Sequence, residues 1–221
     1  MTQQYGAFLD TPALAPGVTR FWMIRHALVE ENARARLYGS TDVPLCPESL
    51  VSQAPMYRSL AARLPRDAVW ITTPLSRTRI TAEHILKAGY PHTEFGVEPD
   101  LIEQSMGEYH GLEHHHLPER LGMTPHPFWP MAAEEVPPGG ESMDQMKRRV
   151  GDAMERLADR HNRRDIVSVS HGGTIRMACA HALDISASTA LRLSVQNLSL
   201  TILERHPASW RVVTINELPG A

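Results

Sequence analysis

The sequence predicts an α/β fold, a three-layer α/β/α sandwich with a mostly parallel central sheet. Three short apolar runs, at residues 21–25, 68–72 and 166–170, have the length and composition of buried strands. Helical patterns separate these runs, and strands that alternate with helices form parallel sheets covered on both faces. At 221 residues the chain has the length of one such domain. We expect an irregular arm over residues 1–19 and a single domain over residues 20–221.

In the N-terminal half, turn and helix signals separate the first two strands. Residues 28–47 are rich in turn formers and prolines, which exclude a long helix there. A helix is predicted over residues 48–64, with a kink or a late start at Pro55. After the second strand a helix is expected over residues 74–86, and Gly89 is placed to end it.

The middle of the chain is irregular until a strong helix signal begins. Residues 90–140 are rich in Pro, Gly and His, and we expect a short strand, a short helix near residues 113–121 and a surface loop. Ser142 and Gln145 make a capping box, which predicts the start of a helix. The apolar face of this helix is formed by Met143, Met146, Val150, Met154 and Leu157.

The C-terminal part predicts one more helix and an alternating tail. After the third strand, small and apolar residues predict a helix over 174–183. Apolar and polar residues then alternate, which predicts strands at 191–195, 198–203 and 210–215. The last two strands are expected to form a hairpin around residues 206–209.

Composition excludes several classes of partner. The formal net charge of −3 gives no reason to expect a nucleic-acid partner. Cys46 and Cys179 are far apart in the sequence, and Cys179 falls in an apolar helical stretch, so a buried thiol in a reducing compartment is expected. The first twenty residues lack the continuous apolar core expected of a signal peptide, and no apolar run approaches membrane-spanning length. We therefore expect a soluble cytoplasmic protein without a membrane partner, and no feature predicts an oligomeric state.

Two histidines lie where predicted strands end. His26 follows the first strand beside Arg25, and His171 follows the third. Ligand sites collect at strand ends in open α/β sheets. Arginine presents a planar fork to phosphate oxygens, and neutral imidazole is a good nucleophile near pH 7. Gly172 and Gly173 would let the backbone and a helix N-terminus approach an anion, and we expect Gly172 to border the substrate, although a purely structural turn is an equal alternative.

Two further segments supply chemically useful side chains. Arg77 lies just past the second predicted strand, and Glu103 lies in a Leu-x-Glu-x-x-x-Gly-x-x-x-Gly pattern. Two histidines, two arginines and one glutamate, most of them after a predicted strand, form a coherent phosphoryl-transfer set.

Taken together, these motifs resemble the histidine phosphatase superfamily, in the branch related to cofactor-dependent phosphoglycerate mutases. The match runs over roughly residues 20–204, and the order and spacing of its motifs make it specific. The resemblance implies a phosphoglycerate mutase-like fold and one catalytic domain of that family over residues 20–221. The matching motifs are Arg25-His26, Asn32, Gly39, Asp42-Val43-Pro44-Leu45, Pro74-Leu75-Ser76-Arg77, the Glu103 pattern, Gly140-Glu141-Ser142 and Ser170-His171-Gly172-Gly173.

The resemblance implies a role for each of these groups. His26 would be the nucleophile that becomes phosphohistidine, with its other ring nitrogen held by a backbone carbonyl. Arg25, Arg77 and His171 would bind the phosphoryl oxygens, so that no metal and no other cofactor is required. Glu103 would protonate the leaving alcohol and then take a proton from water. Further contacts to the phosphoryl group or substrate are implied for Asn32, Tyr38 and Gly39.

Some features depart from the family pattern or allow another interpretation. Ala27 replaces the usual glycine after the nucleophile, and Leu28-Val29 replaces the usual Glu-Thr pair. The run 114–116 is three histidines, but consecutive helical residues point about 100° apart, so a solvated helix start is expected instead of a metal site. Arg34 and Arg36 could face the pocket mouth or solvent, and both alternatives stay open.

These expectations favour a phosphomonoesterase that hydrolyses a small phosphorylated metabolite through phosphohistidine. The first alternative is a mutase, but family mutases carry a longer and more basic segment after the Glu103 motif. Here residues 112–140 hold only Arg120 as a strong cation. The second alternative is a catalytically silent module that binds a phosphorylated ligand. An α-ribazole phosphate or sugar phosphate would fit, and no residue selects one.

Overall fold

The computed structural model describes residues 17–91, 93–121 and 124–220. The arm predicted over residues 1–19 lies, as far as residue 16, outside the described residues. In the described ranges, no helix combines the length and the apolar character that a membrane crossing requires.

A six-stranded sheet runs through the part of the chain that the structure describes. Its strands are β1 (Thr19–Arg25), β2 (Val69–Thr72), β3 (Phe95–Val97), β4 (Asp165–Ser170), β5 (Leu200–His206) and β6 (Ser209–Glu217). Their order across the sheet is β3-β2-β4-β1-β5-β6. β3, β2, β4 and β1 are parallel neighbours, and β5 and β6 are antiparallel. The predicted, mostly parallel sheet is confirmed.

Helices cover both faces of the sheet. They are α1 (Glu31–Arg34), α2 (Pro47–Ser52), α3 (Ala54–Arg63), α4 (Ser76–Lys87), α5 (Leu117–Arg120), α6 (Met143–Arg160), α7 (Gly172–Ala182) and α8 (Ala187–Ala190). In β1, Phe21 and Met23 join a buried cluster with α6 and α7, whereas Trp22 and Ile24 join a second cluster with α3 and α4. This alternation places β1 in the middle layer of a three-layer sandwich.

Local signals located most elements correctly. The capping box is present, because the Ser142 side chain accepts from the Gln145 N–H and the Gln145 side chain accepts from the Ser142 N–H. The helix predicted over 48–64 is divided at Gln53 into α2 and α3, with Pro55 in the first turn of α3. Proline has no N–H to donate to the preceding turn, which explains the break.

The prediction of a strand at residues 191–195 is wrong, because the structure has no strand there. The short helix α8 precedes this segment, and the N–H groups of Leu191 and Leu193 donate to carbonyls of α8 instead of a neighbouring strand. Leu191 and Val195 are buried, whereas Arg192 and Ser194 between them are exposed, so this alternation reflects a turn that packs on the core. Period-two burial alone does not require a strand partner.

A small apolar cluster fastens the irregular segment between β3 and α6 to the domain. Its buried members are Leu37, Met106, Leu117 and Met131. The Leu37 N–H also donates to the Leu112 carbonyl at 2.9 Å. The irregular segment is thereby held against the loop that follows β1.

Candidate active site

Strand register brings the two predicted histidines together. β1 and β4 are parallel, with Arg25 opposite Ser170, so His26 and His171 leave the sheet at the same level. The His26 N–H donates to the Ser170 carbonyl at 2.9 Å. The two imidazole centroids are 5.3 Å apart, with an interplanar angle of 63°. Both side chains are buried at the carboxyl end of the sheet.

The His26 ring is held in the tautomer that a nucleophile needs. Its Nδ1 is 2.7 Å from the Ala27 carbonyl oxygen, so Nδ1–H donates there and Nε2 keeps its lone pair. Burial, followed by the charges of Arg77 and Arg25, holds the pKa of His26 well below its ordinary value. The ring is therefore neutral near pH 7 and available to attack an electrophile.

His171 is fixed by contacts on both ring nitrogens. Its Nδ1 accepts from Nε of Arg77 at 3.3 Å, and its Nε2 is 2.9 Å from Oγ1 of Thr73. Because Nδ1 is an acceptor, the proton lies on Nε2 and is donated to Thr73. Burial, and after it the charges of Arg77, His26 and Arg25, lowers the pKa of His171 well below its ordinary value.

Arg77 is a buried cation held by the loop after β1. Its Nη1 donates to the Thr41 carbonyl at 2.7 Å and its Nη2 to the Gly39 carbonyl at 2.6 Å. The guanidinium also lies over the Tyr38 ring, 5.3 Å from its centroid. The nearby glutamate, Glu103, partly opposes the lowering of the Arg77 pKa by burial.

Arg25 directs an unused donor into the same region. Its Nη1 donates to the Val195 carbonyl at 2.7 Å, which fixes the guanidinium. Its Nε is buried and has no hydrogen-bond partner among the residues described. An unpaired buried donor on a cation favours an anion as its partner.

Glu103 is positioned by two backbone N–H groups. Its Oε1 accepts from Gln104 N–H and its Oε2 from Gly173 N–H, both at 2.9 Å. A Cβ on Gly173 would lie 2.2 Å from Oε1, so only glycine leaves room for the carboxylate in this place. The second glycine after His171 therefore sets the position of the acid.

A bidentate ion pair fixes the loop that carries Glu103. Nη2 and Nε of Arg149 lie 2.5 and 3.1 Å from the two carboxylate oxygens of Glu141. Nη1 of Arg149 donates to the carbonyls of Asp100 and Ile102. Helix α6 thus anchors the loop that carries Glu103.

A cavity of about 220 Å³ opens beside these groups. The predicted residues Arg25, Glu103, Tyr38, Gly39 and Gly172 line it. Its lining does not include His26, His171 or Arg77. These three are buried next to lining residues, since Arg77 contacts Tyr38 and Gly39, and the histidines adjoin Arg25 and Gly172 in sequence.

The structure therefore gathers almost all predicted site residues at one edge of the sheet. Asn32 is the exception, because it is exposed on α1 and outside the lining of the cavity, and its contact with the phosphoryl group stays a prediction. Arg34 and Arg36 both line the cavity mouth. Both side chains are exposed, and Arg36 is paired with Glu113 at 2.5 Å.

Several site residues were missed from the sequence. Thr73 lies in the turn directly after β2, a position that could have identified it as a partner of the site. The others depend on contacts between distant segments that no local pattern reveals. They are Gln104 and Trp129, whose side chains hydrogen-bond each other, Arg149, and Arg176, which lines the cavity.

The three histidines at 114–116 are exposed and form a 3₁₀ turn directly before α5. This agrees with the expectation of a solvated helix start. Glu113, His115 and His116 each have a donor atom within 4.8 Å of the others. Glu113 already pairs with Arg36, which engages its Oε1.

Comparisons with known proteins agree with this geometry. A family model described as the histidine phosphatase superfamily (branch 1) matches residues 21–218. The metal-independent phosphoserine phosphatase of Arabidopsis thaliana is 27% identical over 194 residues, which are 87% of this chain and 79% of that protein.

Two solved structures share the fold. Mycobacterial glucosyl-3-phosphoglycerate phosphatase Rv2419c superposes with a TM-score of 0.74 at 22% identity, over 90% of this chain and 99% of that one. The phosphoglycerate mutase of Bacillus anthracis str. Sterne superposes with a TM-score of 0.74 at 17% identity, over 91% and 94%.

Proposed function

Because the chain belongs to the histidine phosphatase superfamily (branch 1), we propose that it is a metal-independent phosphomonoesterase. It hydrolyses a small phosphorylated metabolite through a phosphohistidine intermediate. The observation that carries this proposal is the His26 ring, buried, neutral and with Nδ1 bound to the Ala27 carbonyl, beside two arginines and one carboxylate.

In the first half-reaction Nε2 of His26 attacks phosphorus. The P–O ester bond breaks, and Glu103 donates a proton to the departing alcohol oxygen. The negative charge on the phosphoryl oxygens is stabilised by Arg25 and Arg77, and His171 helps to hold the Arg77 guanidinium by accepting from its Nε. This accounts for catalysis without a Lewis acid, because fixed guanidinium groups supply the positive charge.

In the second half-reaction water attacks the phosphohistidine. Glu103, now ionised, accepts a proton from that water, the P–N bond breaks and inorganic phosphate leaves. His26 returns to its neutral form with Nδ1–H still bound to Ala27. The acid and the base are the same carboxylate, used in turn.

Hydrolysis is favoured over a mutase reaction by the segment beside the cavity. A mutase must keep water from the phosphoenzyme and bind the rest of the substrate firmly. Residues 112–140 contain Arg120 as their strong cation, and Arg120 is exposed and outside the cavity lining. The Arabidopsis relative, named as a phosphoserine phosphatase, supports the same choice.

The first test is hydrolysis of an aryl phosphate in the presence of EDTA. We expect phosphate release by the unaltered protein, and loss of at least about a thousandfold in His26→Ala because the covalent route is removed. His115→Ala, at an exposed histidine, is the matched control and should keep its rate. Equal activity of His26→Ala and the control would exclude the mechanism.

The second test concerns the acid. Glu103→Gln should slow alkyl phosphates about a hundredfold more than aryl phosphates, since an aryl oxide leaves without a proton. Glu108→Gln, at an exposed acid on the same loop, is the control.

The same assays distinguish the alternative functions. Phosphoglycerate interconversion faster than hydrolysis would show a mutase, and no turnover of any ester would leave a binding role.

A further inference from the structure

The cavity contains a cation that the proposed chemistry does not use. Arg176 on α7 lines it, and its Nε donates to the Leu193 carbonyl at 2.8 Å. Its Nη1 and Nη2 have no hydrogen-bond partner among the residues that the structure describes. The guanidinium is thus anchored at one nitrogen, and the other two are available to a ligand.

The Trp129 indole packs against this guanidinium. Its carbon lies 5.5 Å from the centroid of the Trp129 ring. The Trp129 Nε1–H donates to Oε1 of Gln104 at 2.9 Å, and the Gln104 side chain donates to the Glu141 carbonyl at 2.8 Å. Arg176 is therefore a preorganised group, which reduces the entropy lost when an anion binds.

Arg176 lies close to Arg25, the arginine proposed to bind the phosphate. Nη1 of Arg176 and Nε of Arg25 each lie 3.2 Å from the point where a Gly172 Cβ would be, so they are separated by at most twice that distance. Three or four covalent bonds span about 4 to 5 Å. A carboxylate that far from the phosphorus would therefore reach Arg176 while the phosphate remains on Arg25.

Charge in the cavity favours such a ligand. Among the residues that the structure describes, Glu103 is the only acid in the cavity lining, and both of its oxygens accept from backbone N–H groups. No ion pair joins it to Arg176 among the described residues. Burial, followed by the neighbouring Arg25, lowers the pKa of Arg176, and the nearby Glu103 partly opposes this.

We propose that Arg176, supported by Trp129, is a second anion-binding subsite that selects phosphomonoesters carrying a carboxylate three or four bonds from phosphorus. This proposal rests on the proposed phosphatase function and adds its substrate class. It places carboxylate recognition on α7, not on the basic segment that family mutases use. Neither residue takes part in proton transfer or attack at phosphorus.

The test compares two esters that differ only in charge, 3-(phosphonooxy)propanoate and its uncharged amide. Neither has a second hydroxyl, so phosphoryl transfer within the substrate cannot confuse the result. We expect kcat/KM for the acid to exceed that for the amide by at least about tenfold, the worth of a charge-assisted hydrogen bond. A ratio near one would overturn the subsite.

Variants then assign the preference to Arg176. Arg176→Gln should reduce the acid-to-amide ratio by about tenfold or more, chiefly through KM for the acid, as loss of ground-state binding requires. Arg148→Gln, at an exposed arginine on α6, is the matched control and should keep the wild-type ratio. Equal losses on both esters would mean that Arg176 acts through Glu103 or the fold, and would overturn the proposal.

Two further variants distinguish loss of the subsite from misfolding of the protein. Arg176→Lys keeps the charge and should give an intermediate ratio, because lysine cannot reproduce the planar fork. Trp129→Leu should also reduce the ratio, and an unchanged ratio would remove Trp129 from the subsite. Aryl phosphate hydrolysis separates the two proposals: activity without acid preference defeats only the subsite, whereas no His26-dependent activity defeats the proposed function as well.

Discussion

Gly173 shows how one missing side chain can position the carboxylate proposed as the acid. Its N–H donates to Oε2 of Glu103, and its Cα approaches so closely that an added Cβ would lie 2.2 Å from Oε1 and 3.1 Å from Cδ. The colliding atoms are the end of a flexible side chain. The acid can therefore move away, and a larger residue would be tolerated by the fold but not by the chemistry.

We predict that Gly173→Ala slows alkyl phosphate hydrolysis about tenfold to a hundredfold while changing stability by less than about 1 kcal/mol. Alanine suits a helix better than glycine, which offsets part of the strain, and misplaced acid catalysis accounts for the rate. Steady-state kinetics and urea denaturation measure the two quantities. Gly96→Ala, where the added Cβ meets only ordinary contacts, is the control.

The leaving group distinguishes a displaced acid from general damage. Gly173→Ala should affect aryl phosphates less than alkyl phosphates, and should add nothing in a Glu103→Gln background, because both changes remove the same step. Equal losses on both kinds of ester would contradict the assignment of Gly173.

Sequence patterns were most informative about residues whose side chains are reactive or charged and lie in recognisable motifs. His26, His171, Arg25, Arg77 and Glu103 were all selected from the sequence, and the structure places them together. Trp129 and Arg149 were missed because an indole or a guanidinium on the surface of a helix or loop has the same local pattern whether it faces solvent or a site. Only the fold determines which segment it meets.

At the level of secondary structure elements, the contact between α6 and α7 is set by another glycine. A Cβ on Gly151 would lie 2.6 Å from Nδ1 of His181 and 3.1 Å from two carbons of the same ring. That ring cannot withdraw easily, since its Nε2 is 3.0 Å from Glu155 and it packs edge-on against Trp210 at 5.5 Å. The glycine allows these helices to approach.

We predict that Gly151→Ala lowers the free energy of unfolding by about 1–2 kcal/mol. Helix propensity alone would raise it by roughly 1 kcal/mol, but overpacking against a fixed ring costs about 1–3 kcal/mol. In a His181→Ala background the clash is absent, so the same change should become stabilising. Urea denaturation of the four proteins tests this, and a Gly151→Ala effect that is the same in both backgrounds would contradict it.

Elements were predictable where the chain itself carries the signal. The capping box at Ser142 located α6, and Pro55 located the break between α2 and α3. The strand prediction for residues 191–195 failed because the leucines and the valine there alternate in burial without a neighbouring strand. Alternation reports which side chains face the core, and only pairing makes a strand.

In the whole molecule, two buried imidazoles lie beside two arginine cations at the carboxyl end of the sheet. The imidazoles of His26 and His171 are buried and neutral, and both lie close to Arg77 and Arg25. Protonating either ring would add a buried cation beside two others. The folded protein therefore resists proton uptake that the unfolded chain accepts freely.

The pH dependence of stability follows from this difference. In the unfolded chain both imidazoles return to their ordinary pKa of 6.5, whereas in the folded protein burial, followed by the arginines, keeps it lower. The stability that they contribute is complete above pH 6.5 and is lost as the pH falls from there through the lowered, folded pKa values. Acids such as Glu204, whose pKa is lowered despite burial by hydrogen bonds from Arg20 and Arg211, lose their contribution only below about pH 4.5.

We predict that the free energy of unfolding decreases between pH 6.5 and 5, and that His171→Gln flattens this decrease by up to about 1.4 kcal/mol per pH unit. Urea denaturation at half-unit steps measures the slope. His115→Gln, at a histidine with an exposed side chain, is the control and should keep the wild-type slope. If His171→Gln and the control had the same slope as the unaltered protein, His171 would not be a buried neutral imidazole, and the proton placement on which its contact with Thr73 depends would be wrong.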